Sequence, residues 1–195
     1  GYSSHLGGTR NGMVVSWPRR ISAGGIRSQF AHVTDVMPTI LEAAGTPAPR
    51  SVNGVAQQPI DGVSFVYSFD HPSAAERHTT QYFETFGNRA IYRGGWWANT
   101  TPVRMVFNSR PAPGNPPDPA QYAWELYDLR KDLSQSHNVA GANPARLAEM
   151  RQLFDEQAKA NNVLPYDDRT GVDRFLAQRA QLRERSPYTY WGANV

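Results

Sequence analysis

The sequence predicts an α/β protein in two parts. A strand and helix of a larger sheet-and-helix layer come first, then a small α+β subdomain with a three- or four-stranded antiparallel sheet and a covering helix. Three observations carry this. The apolar run Met13-Val14-Val15-Ser16-Trp17 is stopped by Pro18, and Val36, Met37, Ile40, Leu41 and Ala44 then recur at helical spacing. Aromatic-rich runs alternate with glycine turns between residues 81 and 98, as hairpins do. One long amphipathic pattern opens at Asn143-Pro144.

Each element has its own justification. Gly7, Gly8 and Gly12 punctuate the approach to residues 13–17, which read as a buried strand in a sheet covered on both faces. Thr34-Asp35 caps a helix whose first turn tolerates Pro38, and Gly45 with Pro47 ends it. Strand followed by helix is half of an α/β layer, so residues 1–50 look like the last stretch of a larger domain. Strands are expected at Gln81 to Phe86, Ala90 to Tyr92 and Trp96 to Ala98, with turns at Gly87-Asn88 and Gly94-Gly95. Residues 110–119 form a Pro-rich loop before another strand from Tyr122 to Asp128. The closing helix runs to about Lys159 with Leu147, Met150, Leu153, Phe154 and Ala158 on one face. The expected domains are 1–76, 77–162 and an Arg-rich tail, 163–195, that leads to a possible further domain.

Composition narrows the function classes. With 195 residues, 39% apolar and 11% aromatic, the chain can bury a core. Twenty basic against 17 acidic residues leave a net charge of +3, too little for a polybasic surface, so neither nucleic acid nor membrane is an expected partner. The absence of cysteine excludes disulfides, thiolate metal sites and a Cys nucleophile within these residues. No apolar run approaches the roughly 18 residues of a membrane helix, and no basic-then-apolar leader opens the chain. A soluble protein, cytoplasmic or periplasmic, is expected. The start at Gly1, close to a core strand and without an initiator Met, points to a piece of a longer protein.

The histidines attract structural readings. His32 bonds within a helix-start turn, His71 lies in a linker, His78 at a strand entrance and His137 in a turn beside the last strand. No His-x3-His spacing occurs, so no metal site is expected. Asp167-Asp168 reads as surface, paired with Arg169, and Glu84 is expected to pair with Arg89 or Arg93. Phe83, Phe86, Tyr92, Trp96, Trp97, Trp124 and Tyr127 read as core between sheet and helix rather than as an aryl-binding cleft.

Three segments, in order, carry a family likeness. Gly7-Gly8-Thr9-Arg10 with Val14-Val15-Ser16-Trp17-Pro18, then His32-Val33-Thr34-Asp35-Val36-Met37-Pro38-Thr39-Ile40-Leu41-Glu42-Ala43-Ala44-Gly45, resemble the downstream part of type I sulfatases. So does Trp124-Glu125-Leu126-Tyr127-Asp128-Leu129 with His137-Asn138. Gln81 to Ala90 with Gly95-Trp96-Trp97 is similar to the large bacterial arylsulfatases. The resemblance implies that the strand and helix close an α/β/α sandwich related to alkaline phosphatase.

The resemblance also implies a chemistry. Type I sulfatases cleave sulfate esters with a hydrated formylglycine nucleophile and a calcium ion held by Asp and Asn oxygens, and a hard cation suits the sulfate. Those groups belong to the family's N-terminal two thirds. The chain is thus expected to be part of an arylsulfatase-like hydrolase of small-molecule sulfate esters, inactive and calcium-free alone, with the N-terminal part of the same protein as its partner. Ser16-Trp17-Pro18-Arg19-Arg20 fits a Ser-x-Pro-x-Arg nucleophile element but follows a strand instead of opening a helix, and is rejected. By the resemblance, His5 lies on the loop lining the pocket floor, where an imidazole could donate to sulfate or protonate a leaving group. Arg10 could reach an anion or anchor the loop to a carboxylate, and Asn88, Arg89 or Trp97, read as loop residues, could shape substrate choice. Alternatives are a phosphodiesterase or phosphonate hydrolase of the same superfamily, and a non-catalytic interaction module pairing through a sheet edge.

Overall fold

The computed structural model describes residues 3–21, 24–85, 87–101 and 121–166. The Pro-rich loop, Asp167-Asp168 and most of the Arg-rich tail lie outside the described residues. In chain order the elements are α1 (Leu6–Thr9), a 3-10 turn (Val33–Asp35), α2 (Val36–Ala43), β1 (Ser51–Val52), β2 (Val55–Ala56), α3 (Tyr67–Asp70), β3 (Thr80–Thr85), β4 (Asn88–Arg93), β5 (Trp96–Thr100), β6 (Trp124–Asp128) and α4 (Pro144–Ala160). They fall into two compact units. The first comprises Gly1–Thr9, Tyr82–Ile91 and Trp97–Val195, and the second Arg10–Gln81 and Tyr92–Trp96.

The first unit is built on the antiparallel sheet, whose order β3-β4-β5-β6 follows the chain. Between β4 and β5 only Gly94 and Gly95 remain, at φ 51° and 84°, the consecutive left-handed pair that a two-residue hairpin needs. Pro144 at the first turn opens α4, its missing N–H costing nothing there. Met150, Phe154 and Ala158 of α4 are fully buried, as are Ala90, Ile91, Trp97, Ala98 and Leu126 of the sheet. The Phe154 ring meets Trp124 and Tyr82 edge-on at 5.7 and 6.4 Å. Beyond β6, the Leu126 N–H donates to Asn138 Oδ1 and the Val139 N–H to the Leu126 carbonyl, so residues 138 and 139 cover groups that an edge strand would expose.

The second unit contains one clear departure from expectation. Residues 13–17 form no strand, and Val14 is 94% exposed with Met13 and Val15 also on the surface. An apolar run becomes a strand only when a neighbour takes its N–H and C=O groups. The strands of the described residues pair only among β1-β2 and β3-β4-β5-β6, so this run has none. The helix forms as expected, but it buries Thr39 while Met37 and Ile40 face outward at 57% and 58% exposure. A small hairpin was not anticipated: Asn53-Gly54, at φ 50° and 80°, joins β1 to β2 with Ser51 opposite Ala56. Among the described residues no helix is long and apolar enough to cross a membrane.

Candidate functional site

His5 stands at the start of α1, and several contacts within the first unit fix it there. The Gly8 N–H donates to the His5 carbonyl at 2.8 Å and closes the turn. Glycine is required at position 8, because a Cβ there would run into the Ser3 carbonyl. The Trp97 indole donates to the Ser4 carbonyl at 3.2 Å, and the Leu6 N–H donates to Gln135 Oε1. Segment 3–9 is thereby tied to the sheet.

The His5 ring lies between two oxygens. Nε2 is 2.8 Å from Glu125 Oε2, and Nδ1 is 2.8 Å from Ser3 Oγ. Glu125 gathers further donors: the Tyr127 hydroxyl at 2.9 Å and Asn99 Nδ2 at 3.2 Å on Oε2, and the Thr101 hydroxyl at 2.9 Å on Oε1. Gln135 Nε2 donates to Asn99 Oδ1 at 3.1 Å. Burial alone would raise the Glu125 pKa, but the bonds from Tyr127, Thr101, His5 and Asn99 outweigh it and hold the carboxyl below its ordinary value. Burial, followed by its bond to Glu125 and that group's charge, pushes the Tyr127 hydroxyl well up. The His5 and Glu125 side chains remain 29% and 21% exposed.

A second polar cluster lies in the second unit. Asp35, almost fully buried, accepts the His32 N–H and the Val63 N–H, each at 2.7 Å, and faces His78 Nδ1 at 2.7 and 2.9 Å. His78 Nε2 is 3.0 Å from the Thr80 carbonyl. Both ring nitrogens thus meet acceptors, which only a doubly protonated ring can satisfy. Burial first, then the charge of His78, lowers the His32 pKa, with Asp35 opposing. This cluster ties the 3-10 turn to His78 and Thr80 within the second unit and reads as structural.

The other expected site residues fare differently. Arg10 is exposed and has no hydrogen bond or ion pair among the described residues, so the carboxylate anchor is not formed. It belongs to the second unit and His5 to the first. Asn88, Arg89 and Trp97 are strand residues and buried, not loop residues. The Arg89 guanidinium stacks over Trp124 and Tyr166 at 5.2 and 4.8 Å. Glu84 does not pair with either arginine; it accepts the Gly87 N–H at 2.8 Å, within reach across the turn. Ser16-Trp17-Pro18-Arg19-Arg20 forms a turn, with the Arg20 N–H on the Trp17 carbonyl and the Arg20 side chain on Asp70. Sequence reasoning missed Glu125, Asn99 and the Asp35–His78 pair. One signal was available for Glu125, which sits two residues before Tyr127 on the same face of a strand.

No family model matches the chain. Among curated proteins, an uncharacterized sulfatase of Schizosaccharomyces pombe is 29% identical over 182 residues, covering 90% of this chain and 29% of that protein. Human arylsulfatase A is 29% identical over 169 residues, covering 77% and 31%. The chain is similar to sulfatases. The likeness extends to an N-acetylglucosamine-6-O-sulfatase of Bacteroides thetaiotaomicron, 24% identical over 89% of this chain and 29% of that enzyme. A crystal structure of Ps i-CgsB aligns with 77% of this chain and 29% of its own, at 20% identity and a TM-score of 0.46. The chain spans under a third of the length of these curated relatives.

Proposed function

We propose that this chain is the downstream portion of an arylsulfatase-like enzyme that hydrolyses small-molecule sulfate esters. One observation carries the reading: similarity to a sulfatase runs through 90% of the chain yet amounts to only 29% of that sulfatase. The exposed run 13–17 and the outward Met37 and Ile40 support it, since such surface is expected to be covered by the rest of the protein.

The division of labour follows from the residues. Sulfate ester cleavage in the type I family uses a formylglycine nucleophile and calcium. This chain holds no cysteine to give the first, and among its described residues no three His, Asp or Glu side chains gather to hold the second. Both groups are assigned to the upstream part of the same protein. The chain's own contribution centres on His5. Its imidazole, braced by Glu125, is a proton donor or acceptor suited to the leaving oxygen of the ester. Arg10, whose planar fork is uncommitted among the described residues, is a second candidate for contact with the sulfate anion. The Gln81 to Ala90 block favours a bacterial arylsulfatase pattern.

The test compares the full-length protein with the isolated 195-residue chain on 4-nitrophenyl sulfate and on a phosphodiester analogue. Turnover of the sulfate by the full-length protein alone is the expected result. Preference for the phosphodiester, or turnover by the isolated chain, overturns the reading.

A further inference from the structure

We propose that Glu125 is a positioning residue that holds His5 as its Nε2–H tautomer, leaving Nδ1, beside Ser3 Oγ, as the ring atom that exchanges protons during sulfate ester hydrolysis. The functional half rests on the proposed sulfatase reading; the tautomer does not.

The protonation pattern follows from one unambiguous donor. The Leu6 backbone N–H can only donate, so the Gln135 atom it meets is the carbonyl oxygen Oε1. That turns the Gln135 NH2 toward Asn99, whose facing atom must then be its own oxygen, Oδ1. Asn99 Nδ2 is consequently a donor, and although His5 Nε2 lies 3.1 Å away, its two hydrogens have oxygen acceptors in Glu125 Oε2 at 3.2 Å and the Thr100 carbonyl at 3.4 Å. With Asn99, Tyr127 and Thr101 all donating to it, Glu125 is an ionised carboxylate. A bare Nε2 lone pair 2.8 Å from that carboxylate would be repelled; an Nε2–H is held by it. In the neutral ring Nδ1 is then the basic atom, and it accepts the Ser3 hydroxyl at 2.8 Å.

The consequence is directional. His5 and Glu125 are 120 residues apart in sequence, so the C-terminal sheet sets the ring orientation of a residue on the opening turn. Ser3 Oγ lies at the working end of the ring and Glu125 at the anchored end.

Two measurements test this on the full-length protein. Selective 15N-histidine labelling, with His5→Asn to assign the signal, reads the tautomer directly. Nε2–H at neutral pH is expected, and an Nδ1–H tautomer overturns the proposal. With 4-nitrophenyl sulfate, Glu125→Gln is expected to lower kcat about 100-fold, as loss of orientation does, with KM within about twofold and the folded fraction unchanged at the assay temperature. Glu125→Asp should recover part of the loss. A Glu125→Gln enzyme with unchanged kcat, or one whose loss matches its unfolded fraction, overturns the proposal. If the variant does not fold, the wild-type tautomer decides. A wild-type protein inert toward sulfate esters sinks the sulfatase reading and the catalytic half of this proposal, while an Nε2–H His5 in it would still uphold Glu125 as the group that orients the ring.

Discussion

The Asp35 carboxylate holds three polar partners in a pocket that water barely reaches, and breaking the cluster from either side tests a different cost. Asp35→Ala strands the His78 imidazolium, 8% exposed, with one carbonyl as its only remaining acceptor. A buried charge robbed of its partner costs about 3–5 kcal/mol, so the urea midpoint should fall steeply. His78→Ala should cost less, because Asp35 keeps the His32 and Val63 N–H donors. Equal losses would refute the assignment of charge to the ring. Glu125 makes a pH-dependent prediction. Its pKa lies below the ordinary 4.5, so its contribution to stability is complete above that value and is lost as pH falls through the lower folded value. The melting difference between wild type and Glu125→Gln should be constant from neutral pH to about pH 5 and shrink on further acidification. A difference that grows in acid would contradict the ionised carboxylate. Neither cluster could be read from the chain, since its members are local to nothing but the folded state. Alternation placed Glu125 on a strand face with Tyr127, yet nothing in residues 120–130 announces a histidine at position 5.

At the scale of elements, local chemistry was a reliable guide, while burial followed expectation in the sheet and α4 but not at residues 13–17, Met37 and Ile40. Gly94-Gly95 and the Asn143-Pro144 start specify a hairpin and a helix by backbone conformation alone, and both form where expected. The same logic should have flagged Asn53-Gly54. Residues 13–17 failed because apolar pattern reports a capacity for burial, while a strand also needs a paired backbone. Glycine 62 shows how tightly one such backbone contact is set: a Cβ there would meet the Thr34 carbonyl and press on the turn that carries Asp35. Gly62→Ala should therefore destabilise the chain by at least about 1 kcal/mol, whereas Gly141→Ala, which meets open space, should be within about 0.5 kcal/mol of wild type in the same denaturation series. On α4, Phe154 is fully buried against Trp124 and Tyr82, and Phe154→Ala should cost about 3–5 kcal/mol.

For the whole molecule the question is what covers the apolar surface of the second unit. Val14, Ile26 and Val33 are 94%, 91% and 76% exposed, a distribution at odds with a chain that is 39% apolar and carries a net charge of only +3. If the remainder of a sulfatase packs on this surface, Val14 moves from water into a core, a transfer worth about 1.5–3 kcal/mol, and an aspartate there would also bury an unpaired charge. Val14→Asp should then lower the unfolding midpoint of the full-length protein markedly while leaving that of the isolated chain unchanged. A control at Gln57, exposed and polar, should be silent in both. Equal behaviour of Val14→Asp in the two proteins would mean that the run stays in water, and the association of this chain with an upstream domain through residues 13–17 would have to be abandoned.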